Sequence, residues 1–224
     1  MRNDITALRA LSVFGVLLYH AKFEFFQGGY LGVDVFFVIS GYLITKKIVD
    51  EINEQKFSLK SFYINRIRRL LPAFFVLTFF VTIFVFIYFF PEDIREYSKS
   101  LTFSLVYLSN FFFWLDTNYF SKAIEFKPLA HTWSLAVEEQ FYFFLPISVL
   151  FIYKLNKKYL SHFILLGVVF SFLITIPNSI EHYTKFYLLP FRVWEMLIGS
   201  YLIFLNKTKK SSENITFLGL ILIL

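Results

Sequence analysis

Arg9 and His20 stand eleven residues apart in the first apolar block of the chain. On a helix that spacing is about three turns, so the two side chains leave nearly the same face about 16 Å apart. One helix would then present a cation near one membrane surface and an imidazole toward the other. Imidazole is the usual general base near neutral pH. A plainer reading is also open: Arg9 snorkels to headgroups and His20 sits at the opposite interface.

Three further clusters place charge beside or inside apolar blocks, where it is costly enough to mark candidate functional sites. In Gly32-Val33-Asp34-Val35-Phe36-Phe37-Val38-Ile39-Ser40-Gly41-Tyr42-Leu43-Ile44-Thr45, the residues Asp34, Val38, Gly41 and Thr45 fall on one helical stripe. Ser40 and Gly41 would let a neighbouring helix come close. Asp34 could orient an imidazole, pair with an arginine, or serve only as a buried structural partner. In Arg66-Ile67-Arg68-Arg69-Leu70-Leu71-Pro72, three guanidiniums stand at the mouth of an apolar block. Arginine binds phosphate in bidentate fashion, although the same cluster could simply be a positive-inside anchor. His131-Thr132-Trp133-Ser134-Leu135-Ala136-Val137-Glu138-Glu139-Gln140-Phe141-Tyr142 brings a histidine, two carboxylates and a glutamine into the membrane zone together. Glu138 lies two turns from His131, on the same face if the helix is continuous. Acids in a first turn also complement the helix dipole, which explains the charges but not the density of polar groups. Arg192 and Glu195, three apart, can neutralise one another and read as structural.

These residues must be held by membrane helices. Hydrophobic residues make up 57% of the 224-residue chain and charged residues only 17%, well below the quarter usual in soluble domains. Mean hydropathy is +0.61. The 33 Phe and 14 Tyr exceed what one soluble core of this size can bury. With no cysteine, disulfides, thiolate metal sites and cysteine nucleophiles are excluded in this region. The net charge of +6 comes from short runs between apolar blocks: Lys46-Lys47, Arg66 to Arg69, Lys154 to Lys158, and Lys207 to Lys210. That is the pattern of cytoplasmic loops and argues against a nucleic-acid partner.

The expected architecture is an all-α, polytopic transmembrane helix bundle. It has about seven complete or re-entrant spans plus one truncated span, and the whole chain, 1–224, is one membrane domain. The expected spans run from Ile5 to Ala21, Tyr30 to Val49, Leu70 to Phe90, Leu101 to Leu115, Trp133 to Tyr153, Phe163 to Ile176 and Phe186 to Leu205. Asp50 to Arg69 is expected as a polar cytoplasmic stretch. Pro91-Glu92-Asp93 ends the third span. If Leu101 to Leu115 crosses fully, the later lysine runs fall outside, against the positive-inside rule; entry and return without crossing removes the conflict. Ile5 to Tyr19 follows a lone Arg2 and lacks a small-residue cleavage site, so it reads as a retained span. Ile215 to Leu224 reads as a span that does not finish, so the chain is expected to be the N-terminal part of a longer protein.

The four clusters in this order resemble the acyltransferase 3 family, which includes membrane O-acetylases of lipopolysaccharide O-antigen and peptidoglycan. Arg9 and His20, with ten residues between them, look like that family's arginine–histidine motif. Gly29 to Gly41 is similar to its second span, and Arg66 to Pro72, Trp133-Ser134-Leu135 with Glu138, and Phe191 to Glu195 match later landmarks. The resemblance covers essentially the whole chain. It implies an acyl-CoA donor, usually acetyl-CoA, with no metal. Its phosphates would meet Arg66, Arg68 and Arg69, and Arg9 would lie nearer the thioester. His20 would deprotonate an acceptor hydroxyl or take the acyl group itself. Glu138 and Asp34 would orient and stabilise the imidazole. Trp133 and Ser134 would bind substrate, and the acceptor would be a sugar hydroxyl on a lipid-linked or surface glycan such as lipopolysaccharide O-antigen. The implied location is the inner membrane of a bacterium.

Two other readings of the same polar groups remain. A transporter or flippase also uses intramembrane Asp, Glu and His, although no inverted repeat is visible. A non-catalytic scaffold would use them only to bind helices together.

Overall fold

The computed structural model describes residues 3–117 and 123–205. Every regular element among them is helical. The α-helices are α1 (Asn3–His20), α2 (Gly32–Asn53), α3 (Leu59–Tyr88), α4 (Pro91–Leu105), α5 (Ser109–Leu115), α6 (Thr132–Asn156), α7 (Leu160–Thr175), α8 (His182–Tyr187) and α9 (Leu189–Tyr201). The expected unfinished span at Ile215 to Leu224, and the run Lys207 to Lys210, lie outside the described residues.

Among the described residues three helical stretches are long and apolar enough to cross a membrane: Leu59–Tyr88, Thr132–Thr175 and His182–Phe204. Only 17% of the apolar window in Leu59–Tyr88 is buried, so Phe79, Phe80, Phe86 and Ile87 face outward. An outward apolar surface of this kind is stable in lipid and not in water. The other helices are shorter or more highly charged; α2, for example, carries Asp34, Lys46, Lys47, Asp50 and Glu51. The expected total of about seven spans is therefore larger than these criteria support.

Three boundaries differ from expectation. The stretch from Asp50 to Arg69 is mostly helical, because α2 runs on to Asn53 and α3 begins at Leu59. Arg66, Arg68 and Arg69 thus sit inside a 30-residue helix rather than in a loop. The segment expected at Leu101 to Leu115 is two helices, broken where Tyr107 takes a φ of 55°. At about 1.5 Å per residue, seven-residue α5 covers only about 10 Å, a third of a hydrocarbon core. Pro91 occupies the first turn of α4 with Glu92 and Asp93, where a proline needs no N–H donor and acids meet the positive helix end. The expected Phe186 to Leu205 span is interrupted at Leu188, between α8 and α9.

Contacts divide the chain into two units. The first comprises described residues 3–47, 152–172 and 193–205. In it α1 meets the turn before α2 almost backbone to backbone. A Cβ on Gly29 would lie 2.2 Å from the Gly15 carbonyl oxygen, and one on Gly32 would lie 2.4 Å from that of Ser12. The middle of α2 also packs against α9 through small residues. A Cβ on Gly41 would meet the Met196 carbonyl oxygen at 1.8 Å, and one on Gly199 would meet that of Val38 at 1.9 Å. With the backbones this close, the Thr45 hydroxyl donates to the Ser200 Oγ at 2.7 Å. The Ser40–Gly41 pair therefore does admit a neighbouring helix, as its composition implies.

The second unit comprises described residues 48–117, 123–151 and 173–192. Its core gathers Val85, Tyr97, Phe113, Leu129 and Tyr187, with Trp133 and Phe186 packed against them. The fully buried Asn110 donates to the Tyr187 carbonyl at 3.1 Å. The Gln140 amide donates to Asn110 Oδ1 at 2.8 Å and to the Tyr107 carbonyl at 3.0 Å. The Gln140 bond satisfies the Tyr107 carbonyl at the α4–α5 break, and the Asn110 bond satisfies the Tyr187 carbonyl at the end of α8.

Candidate functional site

In the first unit, His20 is the last residue of α1 and is exposed. Its Nδ1 lies 2.8 Å from the Val16 carbonyl oxygen, one turn back. A carbonyl can only accept, so in the neutral ring Nδ1 carries the proton and Nε2 holds the free lone pair. The bond to its own helix fixes the ring and leaves Nε2 to act as base or nucleophile. Arg9 is half-buried on the same helix, 5.9 Å from the Phe36 ring centroid, and its buried Nε has no hydrogen-bond partner. Asp34 is half-buried in the first turn of α2. Its carboxylate there suits the positive end of the helix dipole. Glu195, buried to 3% exposure on α9, belongs to this unit as well.

The second unit holds the denser constellation, where α3 and α6 meet. Arg66 Nη2 donates to Glu139 Oε1 at 2.6 Å. Its guanidinium carbon lies 3.5 Å from the centroid of the Tyr142 ring, a close cation–π stack. The Tyr142 hydroxyl in turn donates to the Glu138 carboxylate, four residues back on α6. Glu138, Glu139 and Tyr142 thus form one surface of α6 facing Arg66 of α3. The Tyr63 hydroxyl ties the same helices together by donating to the Phe143 carbonyl at 2.8 Å. Two prolines flank the constellation. Pro72 removes the helical donor to the Arg68 carbonyl, and Pro146 removes that to the Tyr142 carbonyl.

A cavity of about 440 Å³ opens beside the ion pair, within the range of small-molecule sites. Tyr63, Arg66, Tyr107, Phe111, Glu139 and Gln140 are among its walls. Tyr107 sits between α4 and α5, outside the three membrane-length stretches. Burial pushes its phenol above the usual range; the Glu139 carboxylate adds to this and Arg66 opposes it. The phenol therefore remains a hydrogen-bond donor at any physiological pH. Arg68 and Arg69 are exposed.

The first turn of α6 is built differently. Trp133 packs against Phe186, ring centroids 4.5 Å apart and planes tilted by 43°, and meets Tyr187 edge-on at 5.7 Å. The Arg192 guanidinium stands 5.8 Å from the Trp133 ring and 5.1 Å from that of Phe186, and its Nε donates to the Phe186 carbonyl at 3.2 Å. Ser134 donates to the His131 carbonyl at 3.3 Å. His131 precedes α6, so the continuous helix that would stack it above Glu138 begins one residue too late. Among the described residues no group of three or more His, Cys, Asp or Glu side chains is arranged to hold a metal.

The expected site residues therefore fall in two places. Arg9, His20 and Asp34 belong to the first unit; Arg66, Arg68, Arg69, Trp133, Ser134 and Glu138 belong to the second. Sequence reasoning passed over Glu139 as the partner of Arg66, and over Tyr142. The available signal was Glu139 itself, a second carboxylate in an apolar helix, where a buried charge calls for a cationic partner.

A family model described as an acyltransferase domain matches residues 2–224. The chain belongs to the acyltransferase 3 family. Relatives of this acyltransferase 3 chain include a Staphylococcus aureus (strain COL) protein named "Putative O-acetyltransferase SACOL0978". It is 37% identical over 210 residues, covering 90% of this chain and 34% of that protein. The peptidoglycan O-acetyltransferase OatA of Listeria monocytogenes is 36% identical over 209 residues, covering 90% of this chain and 33% of that protein. An uncharacterized protein of Haemophilus influenzae is 36% identical over 181 residues, covering 76% of this chain and 73% of that protein. The chain spans about a third of the length of the first two. No solved structure matches it.

Proposed function

We propose that the protein is a multi-pass membrane O-acyltransferase. It moves an acyl group, acetyl in the first instance, from acyl-CoA to a hydroxyl of a cell-envelope glycan. The observation that carries this reading is the family match over residues 2–224, which includes the arginine–histidine pair on one helix. The printed names of the Staphylococcus and Listeria relatives point to O-acetylation, and the Listeria name to peptidoglycan. Lipopolysaccharide O-antigen is the alternative glycan of the same chemistry. The proposed location is the inner membrane of a bacterium, with the donor drawn from the cytoplasm.

His20 carries the transfer. With Nδ1 bound to the Val16 carbonyl, Nε2 either removes the proton of the acceptor hydroxyl as that oxygen attacks the thioester, or attacks the thioester itself and passes the acyl group on. In both cases the C–S bond breaks and the CoA thiolate leaves, balanced by the proton that the acceptor hydroxyl gives up. Arg9, three turns before His20 on α1, offers positive charge to the donor nearer its thioester end. Arg68 and Arg69 meet the donor phosphates, with Arg66 as the inner, Glu139-bound member of that cluster. Asp34 provides a carboxylate for the imidazolium, Glu138 is the carboxylate that the α3–α6 cluster brings to the transfer step, and Trp133 with Ser134 contacts substrate.

The test is to purify the full-length protein and follow release of free CoA from acetyl-CoA with and without glycan fragments. Glycan-dependent release with acetyl recovered on the glycan is expected. Stable acetyl-CoA in the presence of peptidoglycan and O-antigen fragments would contradict the reading and favour transport.

A further inference from the structure

At the α3–α6 contact, Arg66, Glu138 and Glu139 have a role in the proposed reaction or pair with a residue that does; Tyr142 touches both sides. Its ring is 3% exposed. One face carries the Arg66 guanidinium at 3.5 Å, and its hydroxyl donates to Glu138. Glu139 holds the same guanidinium from the edge at 2.6 Å. A planar cation clamped by a ring on its face and a carboxylate on its edge has lost almost all freedom to turn. A carboxylate fixed by a phenol on its own helix has likewise lost its alternative rotamers.

We propose that Tyr142 is a positioning residue for acyl transfer: its ring sets the plane of Arg66, its hydroxyl sets the Glu138 carboxylate, and Glu139 is the counter-ion that makes the arrangement stable in a membrane helix. This rests on the acyltransferase reading. The two functions of Tyr142 separate chemically. Tyr142→Phe keeps the stacked ring and deletes only the hydroxyl. Tyr142→Leu deletes both. Because Arg66 belongs to the donor-binding cluster and Glu138 to the transfer step, each loss has its own kinetic sign.

The experiment compares wild type, Tyr142→Phe and Tyr142→Leu as full-length protein, measuring kcat and KM for acetyl-CoA together with heat resistance in detergent. Tyr142→Phe is expected to lower kcat about 10-fold with KM for acetyl-CoA within twofold of wild type. Tyr142→Leu is expected to lower kcat similarly and to raise that KM at least about fivefold. A residue that merely fills the core would instead reduce the yield of folded protein and leave kcat and KM of the surviving fraction unchanged. That outcome overturns the proposal, as does equal behaviour of the two variants. Wild-type protein that transfers nothing from acetyl-CoA refutes the acyltransferase reading itself, and Tyr142 positioning with it. Active wild type with unaltered variants refutes the positioning alone.

Discussion

Glu139→Leu leaves the Arg66 guanidinium in a half-buried contact without its counter-ion. The side chains of the pair are only 17% and 14% exposed, so little water is available to replace the lost carboxylate. Removing one partner of a buried ion pair costs about 3–5 kcal/mol, because the other charge stays behind uncompensated. The Tyr142 ring contact is the same in wild type and variant, so it leaves this difference unchanged. The expected loss is thus about 3–5 kcal/mol, which for a domain of this size corresponds to roughly 6–20 °C in melting temperature. The double variant Arg66→Leu/Glu139→Leu removes both charges at once and is expected to lose less than Glu139→Leu alone, since paired charges can be replaced by apolar groups at little cost. The assay is recovery of monodisperse full-length protein by size exclusion after heating in detergent. Glu139→Leu within about a degree of wild type would refute the reasoning. So would a double variant whose loss equals the sum of the two single losses.

Other expectations are local. Gly199→Ala forces a Cβ against the Val38 carbonyl, where it would lie at 1.9 Å, and should cost about 1–3 kcal/mol of stability in the same assay. Gly28→Ala, with nothing within 4 Å of its added Cβ and φ of −82°, should be neutral there and is the control. Asn110→Ala leaves the buried Tyr187 carbonyl and the Gln140 amide short of partners, a loss of about 1–3 kcal/mol; Asn110→Ala at wild-type heat resistance would contradict the network drawn here. Arg68→Ala/Arg69→Ala, both exposed, should leave heat resistance unchanged while raising KM for acetyl-CoA, measured by CoA release.

Much of this arrangement is readable in the sequence because membrane helices advertise themselves. Long apolar blocks such as Leu70 to Phe90 can satisfy their backbone in lipid only as helices, so their existence follows from composition. Gly41 beside Ser40 likewise announces a close helix neighbour. The identity of that neighbour does not follow, since Met196 and Gly199 lie more than 150 residues away and nothing in their own segment marks α2 as the partner. The break at Tyr107 is hidden for a similar reason. A left-handed tyrosine is unusual, and it stands here because Gln140 bonds to its carbonyl from another helix. The arginine cluster was legible as charge, but its division was not: Arg66 turns inward to Glu139 while Arg68 and Arg69 stay exposed, a distinction set by helix phase once α3 begins at Leu59 rather than Leu70. His20 was legible as a candidate base; its proton position required the Val16 carbonyl.

The most direct test of the acyltransferase account is glycan acetylation by His20→Ala in the full-length protein, reconstituted at wild-type amounts and supplied with acetyl-CoA. Loss of transfer to background, in a protein that survives heating as wild type does, is the expected result. Acetylation at the wild-type rate by that variant would contradict the account.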